Sequence, residues 1–249
     1  MRGGPLIGIA VMAKASAPGR TKTRLVPPLT GEEAADLNTA FLRDVADNLL
    51  AAGLSANISG YMAYGPPGSQ AFFDAILPDG IGLIESWIGP FGECLLHALS
   101  ALFARGHAAA CVLNADGPTL PTALLVELAT ALSEPGDRAV LGPSEDGGYY
   151  VLGLKAPHRR LFEDIAWSTE RVAGQTLDRA REIGLPVHVL PTWYDVDDVD
   201  GLRRLHRDLS RAGPGDEARL RPYGAPHTGA LLERLMAGPG FAERVGSSP

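Results

Sequence analysis

A chain of 249 residues, 45% hydrophobic and 20% charged, is long enough for one large domain with a sizeable core. Its formal net charge of −7 excludes the broad basic surface of a general nucleic-acid binder, but leaves room for one nucleotide held by a few well-placed cations. No apolar run reaches the roughly 18 residues of a membrane span. Cys94 and Cys111, in apolar surroundings without metal-ligand spacing, read as buried thiols of a cytoplasmic protein.

In chain order, Leu6 to Met12 is a compact apolar run that predicts a central parallel strand. A basic loop follows from Lys14 to Pro28, and Thr30 with Glu33 predicts a capping box. The helix behind it carries Ala34, Leu37, Phe41, Val45 and Leu49 on one face, with Gly53 as its expected stop. Strands are expected at Ser55–Met62, Ile81–Ile84, Ala109–Leu113, Ala139–Leu141, Tyr149–Leu154 and Pro186–Leu190, with 65–80 irregular. Helices are expected at Phe91–Ala104, from Pro121, from a Ser168 cap to about Ile183, and over Val199–Leu209.

Strands thus alternate with helices, which predicts a three-layer α/β/α fold with a mostly parallel sheet over residues 1–210. Residues 211–249 break the pattern. They read as a partly mobile C-terminal appendage with one short helix near Thr228–Met236, available for packing on a second copy as a homodimer.

The segment KASAPGRTKTRL sets Lys14, Arg20, Lys22 and Arg24 directly after a strand, where open α/β sheets bind ligands. Arg grips phosphate oxygens in pairs, Lys adds a compact charge, and Gly19 allows close approach. The alternative is a solvated basic loop. This is neither a Walker A loop nor a GxGxxG turn.

NADGPTLP puts Asp116 at the end of another central strand, where a carboxylate suits Mg²⁺ or Mn²⁺. The alternative is an Asp capping the next helix, for which Thr119 is better placed. In WYDVDDV, Asp195 and Asp197 alternate, so an extended backbone points them to one side, and Asp198 reads as a helix cap. A metal on Asp116 with Asp195 or Asp197 is the sharper reading; unrelated surface acids are the plainer one. SEDGGYY reads as a hairpin turn or as a ligand contact through Glu145, Asp146, Gly147 and Gly148. Trp167 stacks on a substrate ring or sits in the core.

The succession KxxxPGRxKTRL, PLTxEEAAxL, DxPxLP, EDGGYYxLGL, WST and DVD, spread over residues 6 to 209, resembles the DUF2064 family of GT-A-like transferases, including arsenosugar-biosynthesis and radical-SAM-associated types. The KTRL loop and its helix are also similar to 2-phospholactate guanylyltransferases. The resemblance implies a GT-A-like nucleotide-diphospho-sugar transferase fold and a nucleotide site at Lys14, Gly19, Arg20, Lys22, Arg24 and Asn114. It implies catalytic roles for Asp116, Lys22 and Arg24, and a metal on Asp116, Asp195 and Asp197. Substrate contacts are implied at Glu145, Asp146, Gly147, Gly148, Tyr149, Trp167, Ser168 and Thr169. This chain departs from the family's usual acidic turn at Thr119, where a second acid is expected.

The implied function is metal-dependent glycosyl transfer from a nucleotide-activated sugar to a small-molecule acceptor. Nucleotidyl transfer to a small phosphorylated substrate, with pyrophosphate release, is the alternative, and a non-catalytic nucleotide-binding domain is the third reading.

Overall fold

The computed structural model of the protein describes residues 4–87, 89–211, 220–238 and 240–246. Its centre is β1 (Ile7–Lys14), buried along all but its last residue. Such a run needs cover on both faces, and it has it. β1 pairs in parallel with β2 (Ile58–Gly65) and β4 (Ala109–Leu113), and β2 pairs in parallel with β3 (Gly82–Glu85). Beyond β4, β6 (Tyr149–Leu154) runs antiparallel and makes a hairpin with β5 (Ala139–Pro143), which carries β7 (Val187–Val189) in parallel. The sheet order is β3-β2-β1-β4-β6-β5-β7. The expected three-layer, mostly parallel architecture is therefore the observed one.

One face of the sheet packs under α1 (Gly31–Ser55) and α4 (Thr122–Ser133). The other packs under α3 (Phe91–Ala104) and α5 (Val172–Glu182). The capping box is present: Glu33 N–H donates to Thr30 Oγ1 at 3.1 Å, and Thr30 N–H donates to Glu33 Oε2 at 2.8 Å. Asp198 caps α6 (Val199–Arg211), accepting from Gly201 N–H at 2.8 Å.

Several boundaries differ from expectation. α1 runs through Gly53 to Ser55, since packing against β2 and α4 outweighs the roughly 1 kcal/mol cost of a helical glycine. The irregular stretch 65–80 holds a short helix, α2 (Gln70–Ile76), docked by the fully buried Phe73. Ser168 does not cap α5. Its φ is 64°, the helix starts four residues later, and no side chain caps it. Thr119 caps nothing either, and donates instead to Tyr194 Oη at 3.1 Å.

α1 is buried on two sides. Its outer face shares a hydrophobic cluster with α6, α7 (Pro226–Met236) and α8 (Phe241–Val245), joined by Leu25, Tyr194 and Val196. Asp44 on α1, fully buried, accepts from the N–H groups of His227 (2.9 Å) and Thr228 (2.8 Å), so α1 supplies the missing cap of α7. The expected domain boundary near residue 211 adjoins residues 212–219, which lie outside the described residues.

Candidate active site

A cleft of about 710 Å³ opens at the carboxyl ends of β1 and β4. The basic loop forms one wall, the acidic turn its floor, and aromatic side chains continue the wall from Lys14.

The loop is anchored at both ends. Asn38 on α1 donates to Lys14 O at 3.1 Å and to Ser16 Oγ at 2.9 Å. At the far end the chain enters a 3₁₀ turn (Thr23–Leu25) whose Leu25 is fully buried. Between these anchors Arg20 and Arg24 are exposed, line the cleft, and have no side-chain partner among the described residues. Lys14 also lines the cleft, its Nζ 4.9 Å from the centre of the Trp87 ring. Gly19 (φ 71°) is in the loop but off the cleft wall.

Lys22 differs from its basic neighbours. Its backbone is left-handed (φ 50°, ψ 38°), and its side chain, 5% exposed, turns inward. Nζ lies 2.6 Å from Asp116 Oδ1 and 3.2 Å from Asp197 Oδ1, and donates to Val196 O at 2.7 Å. Burial pulls the ammonium pKa down, but the two carboxylates outweigh it and hold it above its ordinary value. Lys22 is part of the cleft lining, with its ammonium turned onto Asp116, Asp197 and Val196 O.

Asp195, expected beside Asp197, takes a separate partner: Asn114 Nδ2 donates to its Oδ1 at 2.7 Å. Burial pushes the Asp195 carboxyl up to about 7; the hydrogen bond from Asn114 pulls it back, while the charges of Asp116 and Asp146 push it further. The floor is thus an acid-rich spot with one half-buried carboxyl that no cation among the described residues compensates.

The SEDGG turn is shared between two tasks. Asp146 and Gly148 line the cleft, with Gly148 N–H donating to Asp146 Oδ1 at 2.9 Å. Glu145 faces elsewhere and is engaged by Arg204 of α6 at 2.7 Å, so its expected substrate contact is not seen. Gly147 is not on the cleft wall: its neighbour is the protein's own backbone at Glu170. Tyr149, Trp167, Ser168 and Thr169 all line the cleft, and the Tyr149 hydroxyl is buried without a hydrogen-bond partner among the described residues.

Two wall residues carry no signal in the local sequence. Trp87 donates its indole N–H to Ala13 O at 2.9 Å and fits only because position 65 is glycine, where a Cβ would sit 2.1 Å from its ring. Phe91 stands between Trp87 and Trp167, with ring centres 6.0 and 5.4 Å away.

Among the described residues, no group of three or more His, Cys, Asp or Glu side chains is arranged to hold a metal ion. The Asp116–Asp197 pair is already compensated by Lys22. Asp116 with Asp195 remains, an all-oxygen pair close enough for one charge to act on the other. That donor set fits Mg²⁺ or Mn²⁺, which take one or two carboxylates and complete their shell with phosphate oxygens and water.

Residues 48–169 match the model of the DUF2064 family, described as an uncharacterised protein conserved in bacteria. This span holds the acidic turn, the SEDGG turn and the WST loop, but neither the basic loop nor Asp195–Asp197. It bears out the resemblance over those residues.

The structure is similar to a protein of Desulfovibrio desulfuricans G20 provisionally named a nucleotide-diphospho-sugar transferase. The two are 27% identical over 93% of this chain and 95% of that one, with a TM-score of 0.76. A 4-diphosphocytidyl-2C-methyl-D-erythritol synthase from Anaerococcus prevotii DSM 20548 (12% identity, 84% and 100% coverage, TM-score 0.55) shares the fold. So does a cytidylyltransferase from Leptospira borgpetersenii (12%, 94% and 95%, 0.54). No curated protein matches the chain by sequence. The fold is that of GT-A-like nucleotide-sugar transferases and nucleotidyltransferases, and the class is that of a transferase enzyme. Among the described residues no helix is long and apolar enough to cross a membrane.

Proposed function

We propose that the protein transfers a glycosyl group from a nucleotide-activated sugar to a small-molecule acceptor. The observation that carries this reading is the pair Arg20 and Arg24, exposed on the cleft and unpaired among the described residues of a chain with net charge −7. Free guanidinium groups at a strand's carboxyl end suit the oxygens of a diphosphate. Lys14 extends this cationic wall.

Asp116 and Asp195 would hold a divalent cation, which when bound neutralises charge on the diphosphate leaving group. Asn114 keeps Asp195 oriented. As the acceptor oxygen attacks the sugar's anomeric carbon, the bond to the diphosphate breaks and negative charge grows on the leaving oxygens. Arg20 and Arg24 face that charge, and this preorganised stabilisation is where such sites gain most of their rate. The Trp87, Phe91 and Trp167 wall gives ring faces on which a sugar or acceptor ring packs, and it narrows the space open to water.

A second reading rests on the same cations: Lys14, Arg20 and Arg24 together suit a triphosphate, and cytidylyltransferases share the fold. Products decide between them. The protein is incubated with Mn²⁺, nucleoside triphosphates or nucleotide sugars, and candidate acceptors, and the mixture is analysed by mass spectrometry. Release of a nucleoside diphosphate supports glycosyl transfer, pyrophosphate supports nucleotidyl transfer, and absence of any nucleotide binding removes both.

A further inference from the structure

We infer that Lys22 is a built-in counter-ion and positioning residue that ties the basic loop to the acidic floor, taking the place between Asp116 and Asp197 that a second divalent cation would otherwise fill. This holds whichever group is transferred.

Three observations converge. First, three oxygens close around the Lys22 ammonium: Asp116 Oδ1 as an ion pair, and Asp197 Oδ1 and Val196 O as hydrogen-bond acceptors. Arg20 and Arg24 have no such partners among the described residues. Second, the side chain is 5% exposed, and the Phe41 ring lies 5.1 Å from Nζ, so water is largely excluded. A buried ammonium tends to shed its proton unless compensated, and two carboxylates compensate this one. Third, the left-handed backbone at Lys22 costs a non-glycine residue roughly 1–2 kcal/mol. Such strain persists only where the surroundings over-determine it, and here it is what aims the side chain inward.

Two consequences follow. The loop that presents Arg20 and Arg24 is held against the floor before any ligand arrives. Removing the ammonium leaves Asp116 and Asp197 as an uncompensated pair, which is an oxygen site for a hard cation.

Amine acylation with mass-spectrometric readout tests this on the intact protein, whose lysines are Lys14, Lys22 and Lys155. Lys22 is expected to react at least tenfold more slowly than the exposed Lys14, and MnCl2 should not speed it. Equal rates, or exposure of Lys22 by Mn²⁺, overturn the proposal. In parallel, Mn²⁺ binding to the metal-free protein is followed by electron paramagnetic resonance. Lys22→Met should bind Mn²⁺ at least tenfold more tightly than the wild type, Lys22→Arg should not, and Asp197→Asn, which spares the Asp116–Asp195 pair, should abolish the gain when added to Lys22→Met. A Lys22→Met protein that folds but gains no Mn²⁺ affinity also overturns it. Should that variant fail to fold, the acylation rates decide alone.

Discussion

Gly147 and Glu170 touch through their backbones: a Cβ on Gly147 would sit 2.1 Å from the Glu170 carbonyl oxygen, and φ at Gly147 is 86°. Ala173 N–H also donates to Gly147 O at 3.0 Å. The SEDGG hairpin and the loop carrying Trp167, Ser168 and Thr169 are therefore one packed unit, fastened where only glycine fits.

Gly147→Ala should destabilise the protein by about 3 kcal/mol or more, combining left-handed strain with a backbone clash. For a chain of this size that lowers Tm by roughly 6–12 °C. Gly174 is the control: it lies inside α5, and a Cβ there would meet nothing within 4 Å, so Gly174→Ala should be neutral or stabilising by about 1 kcal/mol. Calorimetry of both variants checks the contrast, and equal stabilities would remove the claim that the two loops are fastened here.

Asp195 gives the fold a pH dependence of definite sign. Its carboxyl is pushed up to about 7, chiefly by burial, against about 3.9 in an unfolded chain. The folded state therefore binds the proton more tightly. Its stabilising contribution is complete below pH 4 and is lost as pH rises through 7. Without divalent cations, wild-type Tm should fall between pH 5 and pH 8 relative to Asp195→Asn, which keeps an oxygen for Asn114. Parallel pH profiles for the two proteins would contradict this.

Asp44 holds the C-terminal helices to α1. Asp44→Ala strands the N–H groups of His227 and Thr228, at about 1–3 kcal/mol for buried donors. The denaturant midpoint should fall, and those two amides should exchange faster with solvent. Because α7 and α8 share a hydrophobic cluster with Leu25 and Val196, on either side of the Lys22 contact, nucleotide affinity should weaken as well. Unchanged amide exchange would mean that Asp44 does not secure the helix.

Local signals were legible in the sequence. The apolar run of β1, the Thr30–Glu33 box and the Asp198 cap each depend on residues a few positions apart, and the structure contains all three. The alternation of strands and helices carried the fold. What stayed hidden rests on distant contacts. Trp87 reaches the cleft through Ala13, 74 positions away, and a gap left by Gly65. Glu145 is drawn off by Arg204, 59 positions on. Lys22 resembled its basic neighbours until the fold placed Asp116 and Asp197 around it. Ser168 had the composition of a cap, but its backbone is at φ 64° and α5 starts four residues later.

The central claim is that Arg20 and Arg24 hold the phosphates of a nucleotide, and titration calorimetry with a panel of nucleoside diphosphates and Mn²⁺ tests it most directly. At least one nucleotide should bind the wild type. Arg20→Ala and Arg24→Ala should each weaken it about tenfold or more, as expected for losing a charge-assisted hydrogen bond of roughly 1.5–3 kcal/mol. Both variants should keep wild-type Tm, since each side chain is exposed and unpaired among the described residues. A double variant that binds every nucleotide as tightly as the wild type would contradict the account.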